Sequence, residues 1–194
     1  MGSINKFDLS DYMNKYNSKY FIETGTYKGD GLSYAKSFKF DKIFSIEILE
    51  EFHNMNIVRF KDDKNITLIN KNSVDGLKEI LTKNNIGNTI FWLDAHLPSF
   101  YSNEYGTDYT IEKDILIPLE EELNIIINNK DISNDVFIID DLRIYERGNF
   151  RNGEWLDVIS SGFEGINFIN KILSETHNIT KSYDDEGYII CLPK

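Results

Sequence analysis

Short apolar runs alternate with amphipathic stretches through most of this 194-residue chain. KYFIET (19–24), KIFSIE (42–47), NITLIN (65–70), NTIFWLD (88–94) and DVFIID (135–140) read as strands. Between them, residues 30–38, 49–60, 74–84 and 111–128 read as helices, with a further helix expected near 163–174. Residues 1–18 read as an N-terminal helical segment. The C-terminal HNITKSYDDEGYIICLP reads as two strands about an Asp-Asp-Glu-Gly turn. Strands alternating with helices predict a mostly parallel sheet covered on both faces. Two consecutive strands joined by a tight turn must be antiparallel. The expected fold class is therefore α/β, a doubly wound, mostly parallel seven-stranded sheet ending in an antiparallel hairpin. No Pro/Gly/Ser linker or internal repeat interrupts the pattern, so residues 1–194 read as one domain.

In open α/β sheets, ligands bind beyond the carboxyl ends of the strands, where the strand order reverses. Those ends are Glu23, Glu47, Asn72-Ser73, Asp94 to His96 and Asp140-Asp141. After Glu23 comes a turn with Gly25 and Gly29, which let the backbone bend sharply and approach a ligand closely. The spacing is not the G-x-G-x-x-G of a pyrophosphate site. Glu23, two residues before Gly25, would repel a pyrophosphate and suits an amine-bearing ligand. A tight strand-to-helix turn with no ligand explains the glycines equally well. Glu47, 24 residues after Glu23, stands where an acid commonly accepts from ribose hydroxyls.

Composition narrows the options. A net charge of −11 disfavours nucleic acid and anionic membrane as partners and suits either a bound cation or plain solubility. No apolar run approaches the roughly 18 residues a membrane span needs. The N-terminus lacks an apolar signal core. Cys191 is the single cysteine, which rules out an intrachain disulfide framework and points to a reducing, cytoplasmic setting. Asp94, Asp140 and Asp141, converging at neighbouring strand ends, would repel one another unless a cation or protons intervene. An all-oxygen set suits Mg²⁺, Mn²⁺ or Ca²⁺. Asp140-Asp141 could also simply end a strand.

IETGTYKGDGLS, SIEI, IFWLDAH and FIIDD together resemble motifs of the class I S-adenosylmethionine-dependent methyltransferases. The resemblance is closer to the metal-dependent O-methyltransferases, of the catechol type and the bacterial macrolide-sugar and antibiotic type. It runs from about residue 20 to 142 and implies a Rossmann-like fold with S-adenosylmethionine as cofactor. By resemblance, Glu23, Thr24, Gly25, Thr26, Tyr27 and Gly29 would face the methionine part. Glu47 and Ile48 would lie at the ribose, Asn72 and Ser73 near adenine, and Asp94 beside the cofactor. Asp94, Asp140 and Asp141 would hold Mg²⁺ or Mn²⁺. The implied reaction is methyl transfer to a hydroxyl of a small polar substrate, such as a sugar or a nucleotide-linked or phosphorylated sugar. A phenolic acceptor and a binding protein without turnover stand as alternatives.

The chain departs from the pattern at Leu97, where the catechol-type enzymes carry a catalytic lysine. His96 then becomes the candidate base, with Asp94 as its catalytic neighbour; an imidazole near its ordinary pKa of about 6.5 can accept a proton at neutral pH. His96 could instead contact the cofactor or pack at the strand end. WLDAHLP is also similar to an arginase-type metal motif, but three histidines are too few for that reading. His53 and His177 read as bystanders. Two loops, 97–110 and 142–155, are placed to face substrate. Tyr101 and Tyr105 (with Tyr109) could stack on a sugar or pack on themselves. Arg143 and Arg147 (with Arg151) could meet an anionic acceptor or pair with surface acids. A homo-oligomer is left open.

Overall fold

In the computed structural model, residues 3–96, 117–153 and 165–194 are described. Loop 97–110, with Leu97, Tyr101, Tyr105 and Tyr109, lies outside them, as do residues 154–155 of the second loop. Seven strands form one sheet: β1 Tyr20–Thr24, β2 Lys42–Glu47, β3 Ile66–Asn70, β4 Thr89–Leu93, β5 Val136–Ile139, β6 His177–Ser182 and β7 Tyr188–Pro193. Their order is β3-β2-β1-β4-β5-β7-β6. Strands β1 to β5 pair in parallel, and β7 is antiparallel to both β5 and β6. The predicted doubly wound sheet and its terminal hairpin are both present. The order reverses between β1 and β4, which fixes the ligand crevice at their carboxyl ends.

The central strands are apolar because both faces are covered. Every residue of β4 (TIFWL) and β5 (VFII) is buried, as parallel strands between two helical layers require. One layer holds α4 Ser73–Lys83, α5 Leu119–Asn129 and α6 Asn167–Leu173. It packs Leu77, Ile80, Leu123, Ile126 and Ile169 on Ile22, Phe44, Phe91 and Ile139. The other layer holds α1 Leu9–Tyr16 and α2 Asp30–Lys36, whose Leu9, Leu32 and Ala35 meet Phe21, Ile43, Ile90 and Ile138. Each such fully buried aliphatic or aromatic side chain contributes roughly 1.5–3 kcal/mol. Helix α3, Glu50–Arg59, follows β2 and lies against β2 and β3.

Local chemistry sets the element ends. Asp8 caps α1 by accepting from the Ser10 N–H at 2.9 Å. Asn72 caps α4 by accepting from the Asp75 N–H at 2.8 Å. Helix α5 begins after Pro118, later than the expected 111: proline has no N–H to give to a preceding turn, so it favours a helix start. The hairpin turn places Asp185 and Gly187 in left-handed conformation (φ 53° and 83°), closed by Gly187 N–H to the Asp184 carbonyl at 2.8 Å. Among the described residues, no helix is long and apolar enough to cross a membrane.

Candidate functional site

The turn after β1 is bonded to β2 at its base. Gly25 and Thr26 both donate their N–H to the Ile46 carbonyl, at 3.0 and 3.2 Å. Gly25 has φ 82°, and a side chain there would run into the Asp94 carbonyl, so the strand order's reversal point depends on glycine. Tyr27 also takes a left-handed φ of 45°. That bend turns its N–H onto Glu47 Oε2 at 2.6 Å, while Leu49 N–H meets Glu47 Oε1 at 2.8 Å. Both oxygens of Glu47 are thereby oriented at the end of β2. Burial raises its pKa, and the backbone N–H groups of Leu49, Tyr27 and Ile48 act against that. Asn56, fully buried on α3, donates to the Tyr27 carbonyl at 2.7 Å and fixes the turn from behind. The sequence gives no hint of that role beyond a polar residue on the buried side of a helix.

Glu23 lies beneath the turn and is 1% exposed. Ser45 donates to its Oε2 at 2.5 Å and shares a further 2.5 Å hydrogen bond with the Thr26 hydroxyl. Burial pushes the Glu23 pKa up to about 8, since neither hydroxyl carries charge. Ile48 is exposed, and Asn72 has its side chain committed to the α4 cap.

At the ends of β4 and β5, Asp94, His96 and Asp141 have ligand atoms within 4.8 Å of one another. His96 Nδ1 is 3.4 Å from Asp94 Oδ1, and His96 Nε2 forms an ion pair with Asp141 Oδ2. The left-handed backbone of Asp141 (φ 56°) accompanies this placement, with its own N–H bonded to Asp140 Oδ1 at 2.8 Å. Asp140 therefore stands beside the group of three without belonging to it. Burial, then the neighbouring Asp141, raise the Asp140 pKa to about 7. Burial, Asp140 and Asp141 raise Asp94 strongly. Burial also opposes charge on Asp141, but His96 and Arg143 outweigh it and hold the group below the usual range. Burial opposes charge on His96 too, and Asp141 and Asp140 outweigh it, raising the imidazole. Two carboxylates and an imidazole this close, with Asp94 itself and the neighbouring Asp140 forced towards their protonated forms, fit a divalent cation.

The arginines divide. Arg143 is 7% exposed, with Nε on Asp141 Oδ1 at 2.7 Å and Nη2 3.7 Å from Glu186 Oε1. Two buried carboxylates thus neighbour Arg143, as in the alternative of pairing with acids, here buried ones. Arg147 and Arg151 are exposed. His177 is buried far from this cluster in the chain's fold, on β6, bonded to the Asp135 carbonyl at 2.9 Å.

Glu122 is the residue that reading strand ends missed. It sits on α5, 1% exposed, bonded to the hydroxyls of Ser73 and Thr24. Burial pushes its pKa up to about 7, against those hydroxyls and the charge of His96. Its signal was present: an acid on the same helical stripe as Leu119, Leu123 and Ile126.

No protein-family model and no curated protein sequence matches the chain. Solved structures do. One, described as a caffeoyl-CoA O-methyltransferase from Staphylococcus aureus, is 13% identical, with a TM-score of 0.63 over 100% of this chain and 85% of that one. An O-methyltransferase from Bacillus cereus, in complex with SAH, is 14% identical, with a TM-score of 0.59 over 96% and 79%. Spermidine synthase from Thermotoga maritima is 10% identical, with a TM-score of 0.54 over 91% of this chain and 53% of that one. The fold is that of the class I S-adenosylmethionine-dependent methyltransferases, and the last likeness shows that the fold alone does not fix the reaction.

Proposed function

We propose that the chain is an S-adenosylmethionine-dependent O-methyltransferase, assisted by a divalent cation, acting on a small polar hydroxyl-bearing acceptor. The observation that carries this reading is the placement of Asp94, His96 and Asp141, within 4.8 Å of one another, at the carboxyl ends of β4 and β5. Across the strand-order reversal stands the turn that orients Glu47. Glu47, held by backbone donors at the end of β2, would accept from the ribose hydroxyls. The glycine turn would admit the methionine part, and Asn72 and Ser73 would border the base. Asp94 and Asp141 would hold Mg²⁺ or Mn²⁺, whose charge would take the place of the imidazolium of His96 beside Asp141. S-adenosylmethionine, when bound, would supply an electrophilic methyl group for the acceptor oxygen, with its sulfur as the leaving atom. A bound cation supplies a Lewis acid that favours the ionised acceptor hydroxyl.

His96 can take the acceptor's proton only after releasing the one that Asp141 and Asp140 favour. Its service as base therefore requires the aspartate charge to be met by something other than the imidazole. Arg147 and Arg151, exposed beyond β5, would suit an anionic acceptor such as a phosphorylated sugar. The pairing of His96 with Asp141 also favours a second reading, a binding protein without turnover.

Calorimetry of the purified protein with S-adenosylhomocysteine, with and without Mg²⁺, tests the first reading at its root; no heat of binding in either condition would sink it. Metal-dependent methyl transfer to any member of a panel of sugars, sugar phosphates and catechols would remove the second.

A further inference from the structure

Glu122 has an unsatisfied atom. One of its carboxyl oxygens, Oε1, is buried and has no hydrogen-bond partner, although the residue is 1% exposed. The Ser73 and Thr24 hydroxyls bond to the same carboxyl. Packing alone gives no reason for an acid here, because a leucine or methionine would occupy the stripe of Leu119, Leu123 and Ile126 without the cost of dehydrating a carboxyl. The position is also not incidental. Thr24 ends β1 and receives the Asp94 N–H, at 3.1 Å on its carbonyl and 3.2 Å on its hydroxyl. Ser73 opens α4, and His96 is near enough for its charge to act on Glu122. These groups border the crevice at the reversal of strand order.

We propose that Glu122 accepts a hydrogen bond from the 6-amino group of the adenine of a bound adenosyl cofactor, with Thr24 and Ser73 holding the carboxyl in place. The inference rests on the reading above, which lays the base over Asn72 and Ser73. Once joined to ribose, adenine has one N–H donor, its 6-amino group; its ring nitrogens only accept. An ionised carboxylate oxygen only accepts. It complements that amine and repels the keto oxygen that a 6-oxopurine presents at the same place. Glu122 thereby selects adenine over hypoxanthine.

The test compares binding of S-adenosylhomocysteine and its deaminated form, S-inosylhomocysteine, by calorimetry at pH 8, above the raised pKa of Glu122. The native protein should prefer the adenosyl compound by about tenfold or more, the range for a hydrogen bond to a charged group. Glu122→Met should reduce that preference to within about threefold, by weakening adenosyl binding and strengthening inosyl binding, and keep or raise the melting temperature of the ligand-free protein. A structural role alone would lower the melting temperature and weaken both ligands together. Glu122→Gln keeps the volume and serves if the methionine variant does not fold; its amide can turn an N–H towards the inosyl keto oxygen, so the preference should narrow there too. Native binding of S-adenosylhomocysteine with an undiminished preference in both variants would overturn the role of Glu122 and leave the proposed function standing. Absence of native binding to either compound would overturn both.

Discussion

Glu47 has its two oxygens held by the N–H groups of Tyr27 and Leu49 before any ligand arrives. Glu47→Ala should therefore weaken S-adenosylhomocysteine binding at least about tenfold, since charge-assisted hydrogen bonds contribute roughly 1.5–3 kcal/mol each. Unchanged affinity in a folded variant, measured by calorimetry, would remove Glu47 from the site. The arginines separate just as sharply. Arg143→Met removes a buried guanidinium from beside Asp141 and Glu186, leaving Asp141 to His96, and should cost about 1–3 kcal/mol in urea unfolding. Arg147→Ala should cost under about 0.5 kcal/mol, being exposed, and should instead raise KM for an anionic acceptor. In the sequence both are simply arginines in one loop. Their difference arises because Arg143 N–H bonds to the Glu186 carbonyl at 3.1 Å, a contact across 43 residues that no local pattern encodes. Glu122 was legible in principle, as an acid in an apolar stripe, whereas the ion pair of His96 with Asp141 depends on a left-handed aspartate that the string FIIDD does not announce.

Among the elements, strands and their ends were the most readable part, because β1, β2, β4 and β5 are apolar runs bounded by acids. Helix ends were less so, since Pro118 rather than the apolar period decides where α5 begins. The turn between β1 and α2 gives the clearest test at this scale. Gly25→Ala must adopt a positive φ and place a methyl group against the Asp94 carbonyl, which is backbone and cannot swing away. The left-handed conformation alone costs about 1–2 kcal/mol for a residue with a β-carbon. Thermal unfolding should fall by at least about 2–4 °C, the shift that ~1 kcal/mol produces in a chain of this size. The same variant should lose cofactor affinity, because Asp94 is displaced with the turn. An unaltered melting temperature would show that β1 and β4 do not approach as described.

For the molecule as a whole, buried acids set the response to pH. Glu23 holds its proton to about pH 8, and Glu122 and Asp140 to about 7. In the unfolded chain such groups ionise near 4. Folding therefore takes up protons between those limits, and their contribution is full below about pH 4 and lost as the pH rises towards 8. The ligand-free protein should melt at a lower temperature at pH 8 than at pH 5.5. If the cluster holds a cation, Mg²⁺ should restore more stability at pH 8 than at pH 5.5, because ionised aspartates bind it better. A melting temperature that rises with pH in the absence of metal would contradict the burial of these carboxyls. The overall charge of −11 acts in the same direction, since self-repulsion grows as acids ionise.

The position of β7 between β5 and β6 has a consequence for the order of assembly during synthesis. A ribosome delivers β6 before β7, yet β6 has no partner in the sheet except β7. The hairpin must therefore be inserted as a unit, after the five parallel strands have had time to collapse. The turn of that hairpin brings the carbonyls of Glu186 and Gly187 to the N–H groups of Arg143 and Leu142. The shell around Asp141 is thus closed by a hairpin made after the five parallel strands. A nascent chain halted before β7 would present its five parallel strands with an open edge on β5 and an unfinished acidic pocket.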